Sequence, residues 1–391
     1  MTKSTVFKSH WLIKAALLMS CSLLTLPAAA LAEVSAPLTA SSSLQQLWDK
    51  DVALPDGAVT EQGQDELVVA SIQGNQVQID SIKLWGEKKP KLTFAKDTLA
   101  FLGGFHQTKG AGYILIGGSQ ILKVDSVGNK NWSYTLPGDP VYFTSVDQLT
   151  DGSYIVGGTS GEANGASDIV LAKLSGNGSV VWQKRVIKPT NDRVSVVKHT
   201  ADGGFEVVGV NLNPDSGAAS IYLAKYSNNS KLSWEKNILP APDTENVWTT
   251  ALVQDINGGS VISGFYDHPN PDGGHRDLTT GYVIKLDGGG NVVWNYKPEA
   301  TLDRGQISDV QITSNGSYIA TGKVNEDWHG TVSKEYVIQL NSSGQKTWDQ
   351  VIERTGIAYN VGLKVQLLNY GYLILGLADG VAKVTKLGSA Q

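Results

Sequence analysis

From position 44 onwards the chain alternates short apolar runs with tight polar breaks. The runs are four to eight residues long and rich in Val, Ile, Tyr and Trp; the breaks are Asp-Gly, Asn-Gly or Gly-Gly. This pattern predicts strands joined by tight turns, and no twelve-residue amphipathic helix can be drawn through it. One unit recurs. Asp151-Gly152-Ser153-Tyr154-Ile155-Val156-Gly157-Gly158 returns as Asp202 to Gly209, Asn257 to Gly264 and Asn315 to Gly322, with an earlier copy at Ala111 to Gly118 and a weaker one at Tyr370 to Gly376. A second motif follows each copy and closes on an aromatic residue, as in Asp168 to Trp182, Tyr282 to Trp294 and Tyr336 to Trp348.

The closing aromatics are Trp48, Phe94, Trp132, Trp182, Trp234, Trp294 and Trp348, spaced by 46, 38, 50, 52, 60 and 54 residues. Seven such marks fit the four-stranded blades of a β-propeller. In residues 193–237 the expected strands are A (Val194 to His199), B (Phe205 to Val210), C (Ile221 to Tyr226) and D (Leu232 to Lys236). Gly209 near the end of strand B suits a crowded place close to the centre. The strand D tryptophans are expected in equivalent buried positions, wedged between neighbouring blades. The last unit has strands near Gly362 to Leu367, Tyr372 to Leu377 and Val381 to Leu387, and then stops without a Trp strand. Residues 44–52, with Trp48, are a lone Trp strand at the other end. They are therefore expected to complete the seventh blade, removing an open sheet edge. The predicted fold is all-β, a single seven-bladed propeller over residues 44–391.

The first 32 residues read differently. Lys3, Lys8 and Lys14 precede an apolar stretch from Ala15 to Leu26, and Ala30-Leu31-Ala32 offers a small-x-small cleavage site. This is the pattern of a secretory signal peptide, followed by a flexible leader at 33–43, and it places the protein outside the cytoplasm, as a secreted, surface or periplasmic chain. A lipoprotein-like box ending at Cys21 is the alternative, although the apolar run continues past it. Cys21 is the only cysteine, so the mature chain is expected to have no disulfide, no thiolate metal site and no cysteine nucleophile.

Composition agrees with a turn-rich β fold. Gly is 43 of 391 residues, Trp 10 and Met 2. The net charge of −5, which becomes −8 when the three leader lysines are removed, argues against nucleic acid as a partner. No other stretch approaches a membrane span, so the processed chain is expected to be a soluble monomer.

The repeat pattern, best seen in Val283-Ile284-Lys285-Leu286-Asp287-Gly288-Gly289-Gly290-Asn291-Val292-Val293-Trp294, resembles that of secreted bacterial β-propellers and is more distantly similar to quinoprotein, PQQ-like repeats. The likeness covers nearly all of 44–388. It implies the propeller and not the cofactor, because quinoproteins also need a cofactor pocket, often with a vicinal cysteine pair, and a calcium-binding acid cluster, and the sequence after the signal segment has no cysteine and no such cluster. No cofactor is expected.

Catalytic templates are largely missing: there is no G-x-S-x-G, Walker loop, H-E-x-x-H or C-x-x-C. The A–B and C–D turns are short and the B–C loops long and varied, so the face carrying the B–C and D–A connections is expected to bind the ligand. Its channel-facing residues include Asp139, Tyr142, Asn191, Asp192, Arg193, Asn246, Trp248, Asp303, Arg304, Tyr359 and Asn360. These either form a polar, aromatic-dotted funnel or simply cap strand ends. The loop from Tyr266 to Thr280 holds Asp267, His268, Asp272, His275 and Asp277 without a recognised metal spacing, and reads as a solvated loop with no metal. Trp328, between Asp327 and His329, is a candidate contact for sugar or protein. The favoured reading is a non-enzymatic propeller binding a protein or carbohydrate. The competing readings are a carbohydrate-active enzyme using a carboxylate pair such as Asp192 with Asp303, and a structural envelope component.

Overall fold

The computed structural model describes residues 44–388, apart from 55–57, 63–65, 84, 139, 162–166, 189, 256, 270–277, 299–304, 326–331 and 370. The signal segment 1–32 and the leader 33–43 lie outside the described residues, as do Asp139, Asp272, His275, Asp277, Asp303, Arg304, Asp327, Trp328 and His329.

The described residues form seven four-stranded antiparallel sheets, each ordered A-B-C-D from the centre outwards. Blades I to VI span 59–95, 104–135, 141–186, 191–238, 246–296 and 305–352. Blade VII combines 360–388 with the N-terminal strand Gln45–Val52. That strand pairs antiparallel with Val381–Gly388, from Gln45 opposite Gly388 to Val52 opposite Ala382. The expected ring closure is therefore present. Blade IV matches its trace with slightly longer strands, Asn191–His199, Phe205–Leu212, Ala219–Tyr226 and Leu232–Ile238.

Burial explains why the apolar runs are continuous in some strands and alternating in others. The middle strands of a blade are covered on both faces by adjacent blades, so Tyr113–Gly117 is buried at every position. The outer strands meet solvent on one side, and Leu232–Ile238 alternates between exposed and half-buried. The buried residues fall into seven apolar clusters, each shared by two neighbouring blades. The cluster joining blades VII and I contains Val52 from the N-terminal strand, Leu375 and Val384 from blade VII, and Leu67 and Val69 from blade I. Stability thus resides between blades, and each blade needs both neighbours.

The outer-strand tryptophans do occupy equivalent positions, but half-buried at the rim rather than enclosed. Three of the indoles lie on the C–D turn of the next blade and donate their Nε1–H to a turn carbonyl: Trp132 to Gly176 at 3.0 Å, Trp234 to Gly288 at 3.1 Å and Trp294 to Ser342 at 3.0 Å. Lying so close to the turn requires a glycine there. A Cβ on Gly178, Gly290 or Gly344 would come within 2.5–2.7 Å of the ring above it, and all three have φ between +77° and +86°. In blade I it is Leu92, with the Cβ of Phe94 beside it, that covers the corresponding Gly128, and Phe94 itself is buried in the core between blades I and II. Phe94 is therefore not the counterpart of the indoles. Leu92 stands at their register position, next to the bulge in the C–D pairing.

Candidate binding face and channel

The strand B glycine of each repeat positions the channel mouth. The A strands of blades III to VII carry a bulge, and in blades III to VI the carbonyl just before it lies over that glycine. A Cβ on Gly209 would come 1.9 Å from the carbonyl oxygen of Arg193, and one on Gly264 would come 1.9 Å from that of Trp248. The same contact joins Gly117 to Phe101 and Gly158 to Tyr142. It therefore aligns Phe101, Tyr142, Arg193, Trp248 and Gln306 as one position on five consecutive blades, II to VI, and the first four of these carry a ring or a guanidinium. Phe101 is 38% and Tyr142 55% exposed, Arg193 is exposed, and Trp248 is half-buried, stacked on Phe265 with ring centroids 4.9 Å apart. These four make an arc of three aromatic rings and one guanidinium at the mouth. Phe101 escaped the sequence reading because it precedes its strand; the glycine of the Ala111 to Gly118 copy was the signal that could have aligned it.

The B–C loops beside this arc are the long ones. They run to five, six, nine and seven residues in blades III to VI, but only two residues in blades I, II and VII. Long B–C loops are thus confined to one side of the ring, contrary to the expectation of long loops throughout.

Several sequence candidates have other surroundings. Asp192 is fully buried; Thr190 Oγ1 donates to its Oδ1 at 3.0 Å, and burial pushes its carboxyl up to about 6. Asn360 is also buried, its Oδ1 accepting from Arg354 Nη1 at 3.1 Å. Tyr359 is half-buried beneath Lys323, whose Nζ sits 4.8 Å from the ring centre; burial brings that ammonium down to about 8. Asn246 is exposed at the start of its strand. Arg193 and Trp248 therefore come together in the arc, Asn246 flanks it, and Asp192 and Asn360 serve as internal pins. In the 266–280 loop, Asp267 accepts from Thr279 Oγ1 at 2.8 Å, and His268 packs on Tyr266 with its Nε2 3.0 Å from Thr280 Oγ1.

Below the mouth the channel is filled by acid–base pairs that bridge adjacent A strands, a feature the sequence reading missed. Glu61 Oε1 lies 2.7 Å from His106 Nδ1, and Glu61 Oε2 accepts the Gln107 N–H at 2.6 Å. Asp147 Oδ2 accepts the His199 N–H at 2.8 Å and lies 3.5 Å from Lys198 Nζ. Asp309 Oδ2 accepts the Val365 N–H at 3.0 Å, with Lys364 Nζ 3.7 Å from Oδ1. The motif is the same each time: an acid receives the backbone N–H of the next A strand and faces the base preceding it. Burial alone would raise the Asp147 carboxyl, but Lys198, His199 and His106 hold it well below the usual carboxylate range. Asp309 goes the other way, because burial outweighs its more distant lysine. All six paired side chains are at most 5% exposed, so these pairs are shielded from solvent.

No family model matches the chain, and no curated protein matches it either. Solved structures do match in fold. A chain in the crystal structure of a mitotic checkpoint complex aligns over 94% of this chain and 99% of its own, at 11% identity and a TM-score of 0.55. BBS1N, from a complex with ARL6DN, aligns over 90% of this chain and 98% of its own, at 11% identity and a TM-score of 0.50. A protein of unknown function from Bacteroides caccae aligns over 74% of this chain and 94% of its own, at 11% identity and a TM-score of 0.46. At such identities the likeness is one of fold. The architecture is a seven-bladed β-propeller, and that fold supports a binding or structural role.

Proposed function

We propose that this is an exported, non-enzymatic binding propeller that holds a protein partner against the arc Phe101–Tyr142–Arg193–Trp248. The observation that carries this reading is the alignment of those four side chains on consecutive blades, beside the long B–C loops. Tyr, Trp and Arg are the residues that dominate binding energy at protein interfaces. Exposed rings and a guanidinium spread over several blades suit a macromolecule better than an enclosed small molecule. Export follows from the signal pattern at 1–32 and from the resemblance to secreted bacterial propellers. The carboxylate-pair enzyme is the weaker reading, because Asp192 is buried away from any substrate.

The test is affinity capture from the source cell envelope and culture medium with the full mature chain, alongside a variant carrying Phe101→Ala, Tyr142→Ala, Arg193→Ala and Trp248→Ala. The expected result is a protein retained by the parent and lost by the variant, with binding weakened about tenfold or more by Arg193→Ala or Trp248→Ala alone in a purified pair. Identical captures by parent and variant would remove the arc as the site. A glycan array on the same two proteins separates a carbohydrate ligand from a protein one.

A further inference from the structure

On the opposite face, where the A–B and C–D turns lie, one of the rim contacts differs from the others. Trp132, Trp234 and Trp294 each rest on a glycine, but in the turn that accepts the Trp182 hydrogen bond that position is Ser230, which holds the same left-handed backbone at φ +66° with a Cβ attached. A Cβ at this point cannot coexist with an indole seated as the other three are, given their 2.5–2.7 Å approach. Trp182 keeps its hydrogen bond to the turn, Nε1 to Asn228 O at 3.2 Å. It stacks nearly parallel to Phe205 at 23°, whereas Trp132 meets Tyr154 at 58° and Trp294 meets Tyr318 at 65°. A cleft of about 550 Å³ lies at this point between blades III and IV, lined by Trp182, Tyr226, Lys173, Lys225, Asp202 and Asn228 among others.

We propose that this cleft is a carbohydrate subsite, taking a sugar ring of a neutral glycan against Trp182. A pyranose offers an apolar face of C–H groups and a rim of hydroxyls, and the cleft has the counterpart of each. The half-buried indole, continued by Phe205 and Tyr226 in one stack with centroids 5.8 and 5.3 Å apart, is the apolar platform. Asp202 is the polar rim: Lys225 Nζ at 2.7 Å and the Thr200 hydroxyl keep its carboxylate ionised, down to about 2, although burial opposes this, and it remains 59% exposed as an acceptor. The charges are already balanced. Lys173 is closed by Asp151 at 2.8 Å and Lys225 by Asp202, so neither an anionic nor a cationic ligand finds an unpaired counter-charge. Serine in a left-handed position that the neighbouring turns give to glycine is a local strain of the kind that binding sites retain.

The test uses the full mature chain and five neutral probes, cellohexaose, xylohexaose, chitohexaose, maltohexaose and mannohexaose, titrated by calorimetry. At least one is expected to bind, and Trp182→Ala should weaken it by about tenfold or more. Ser230→Gly is the decisive variant. It lets the indole seat on the turn as in the other blades, so it should weaken the same probe while raising the unfolding temperature, which separates loss of the site from loss of folding. Tyr142→Ala, on the other face, should leave the affinity unchanged and so keeps this site distinct from the arc. Failure of all five probes to bind, or affinities that Trp182→Ala and Ser230→Gly leave within about twofold of the parent, would overturn the proposal.

Discussion

Arg354 grips Asp49 with two parallel hydrogen bonds, Nε to Oδ2 at 2.8 Å and Nη2 to Oδ1 at 2.9 Å, across 305 positions of sequence. The same guanidinium reaches Glu335 at 2.8 Å, Asn360 at 3.1 Å and Thr385 at 2.8 Å, so all five of its N–H groups are used. One side chain thus ties the N-terminal strand to blades VI and VII at the seam of the ring. Planar bidentate geometry is what Arg supplies and Lys does not.

The seam should therefore control global stability. A chain beginning at Val52 loses the fourth strand of blade VII and exposes a sheet edge, and it should be insoluble or much less stable than one beginning at Ser43. Arg354→Ala leaves the buried Glu335 without its cation and should cost about 3 kcal/mol or more. Urea denaturation of the three proteins checks this. Equal midpoints would show that the seam is not limiting.

Stability should fall as pH rises from about 4 to about 7. Glu335 is fully buried, and burial outweighs its bond to Arg354, pushing its carboxyl from 4.5 up to about 7. Asp192 moves the same way, from 3.8 to about 6. Both groups bind their proton more tightly in the folded chain than in the unfolded one. Their contribution is therefore fully present below the unfolded values and is lost as pH climbs through the folded ones. For Glu335 the difference corresponds to roughly 3 kcal/mol. Glu335→Gln should flatten the dependence of unfolding temperature on pH across this window, and an unchanged slope would contradict the assignment.

The rim contacts allow an internally controlled test. Gly344 and Gly316 share φ +78°, but a Cβ on Gly344 meets the Trp294 ring at 2.5 Å, whereas one on Gly316 meets nothing within 4 Å. Gly316→Ala should cost only the left-handed penalty, about 1 kcal/mol. Gly344→Ala should cost clearly more, about 2–3 kcal/mol, because the indole must also move. Equal losses in chemical denaturation would mean that the indoles do not press on the turns.

The channel pairs should be asymmetric in cost. Lys198 Nζ is buried without a hydrogen-bond partner, while the Asp147 carboxylate is also held by the N–H and Nδ1 of His199. Lys198→Met removes a poorly satisfied charge and should change stability by less than about 1.5 kcal/mol. Asp147→Ala strands Lys198 and His199 and should cost about 3–5 kcal/mol. The reverse ranking would show that the lysine, not the acid, holds the channel together.

The short apolar runs, the Asp-Gly and Asn-Gly turns, the seven spaced aromatics and the orphan Trp strand at the start were all local signals. They were enough to determine the blade count and the closure by residues 44–52, because strand length and turn chemistry are settled within a few residues. The strand B glycine of the repeat, as at Gly209, was legible as a place of close approach for the same reason. What only the tertiary structure decided lies between blades. Whether Asp192 faces the mouth or the interior, that Phe101 shares a position with Arg193 and that Leu92 replaces an indole are settled by packing, and Glu61, Asp147 and Asp309 each find a base on the next strand about 45 to 55 positions away. No periodicity within one repeat encodes that partner. Blade-to-blade packing sets it.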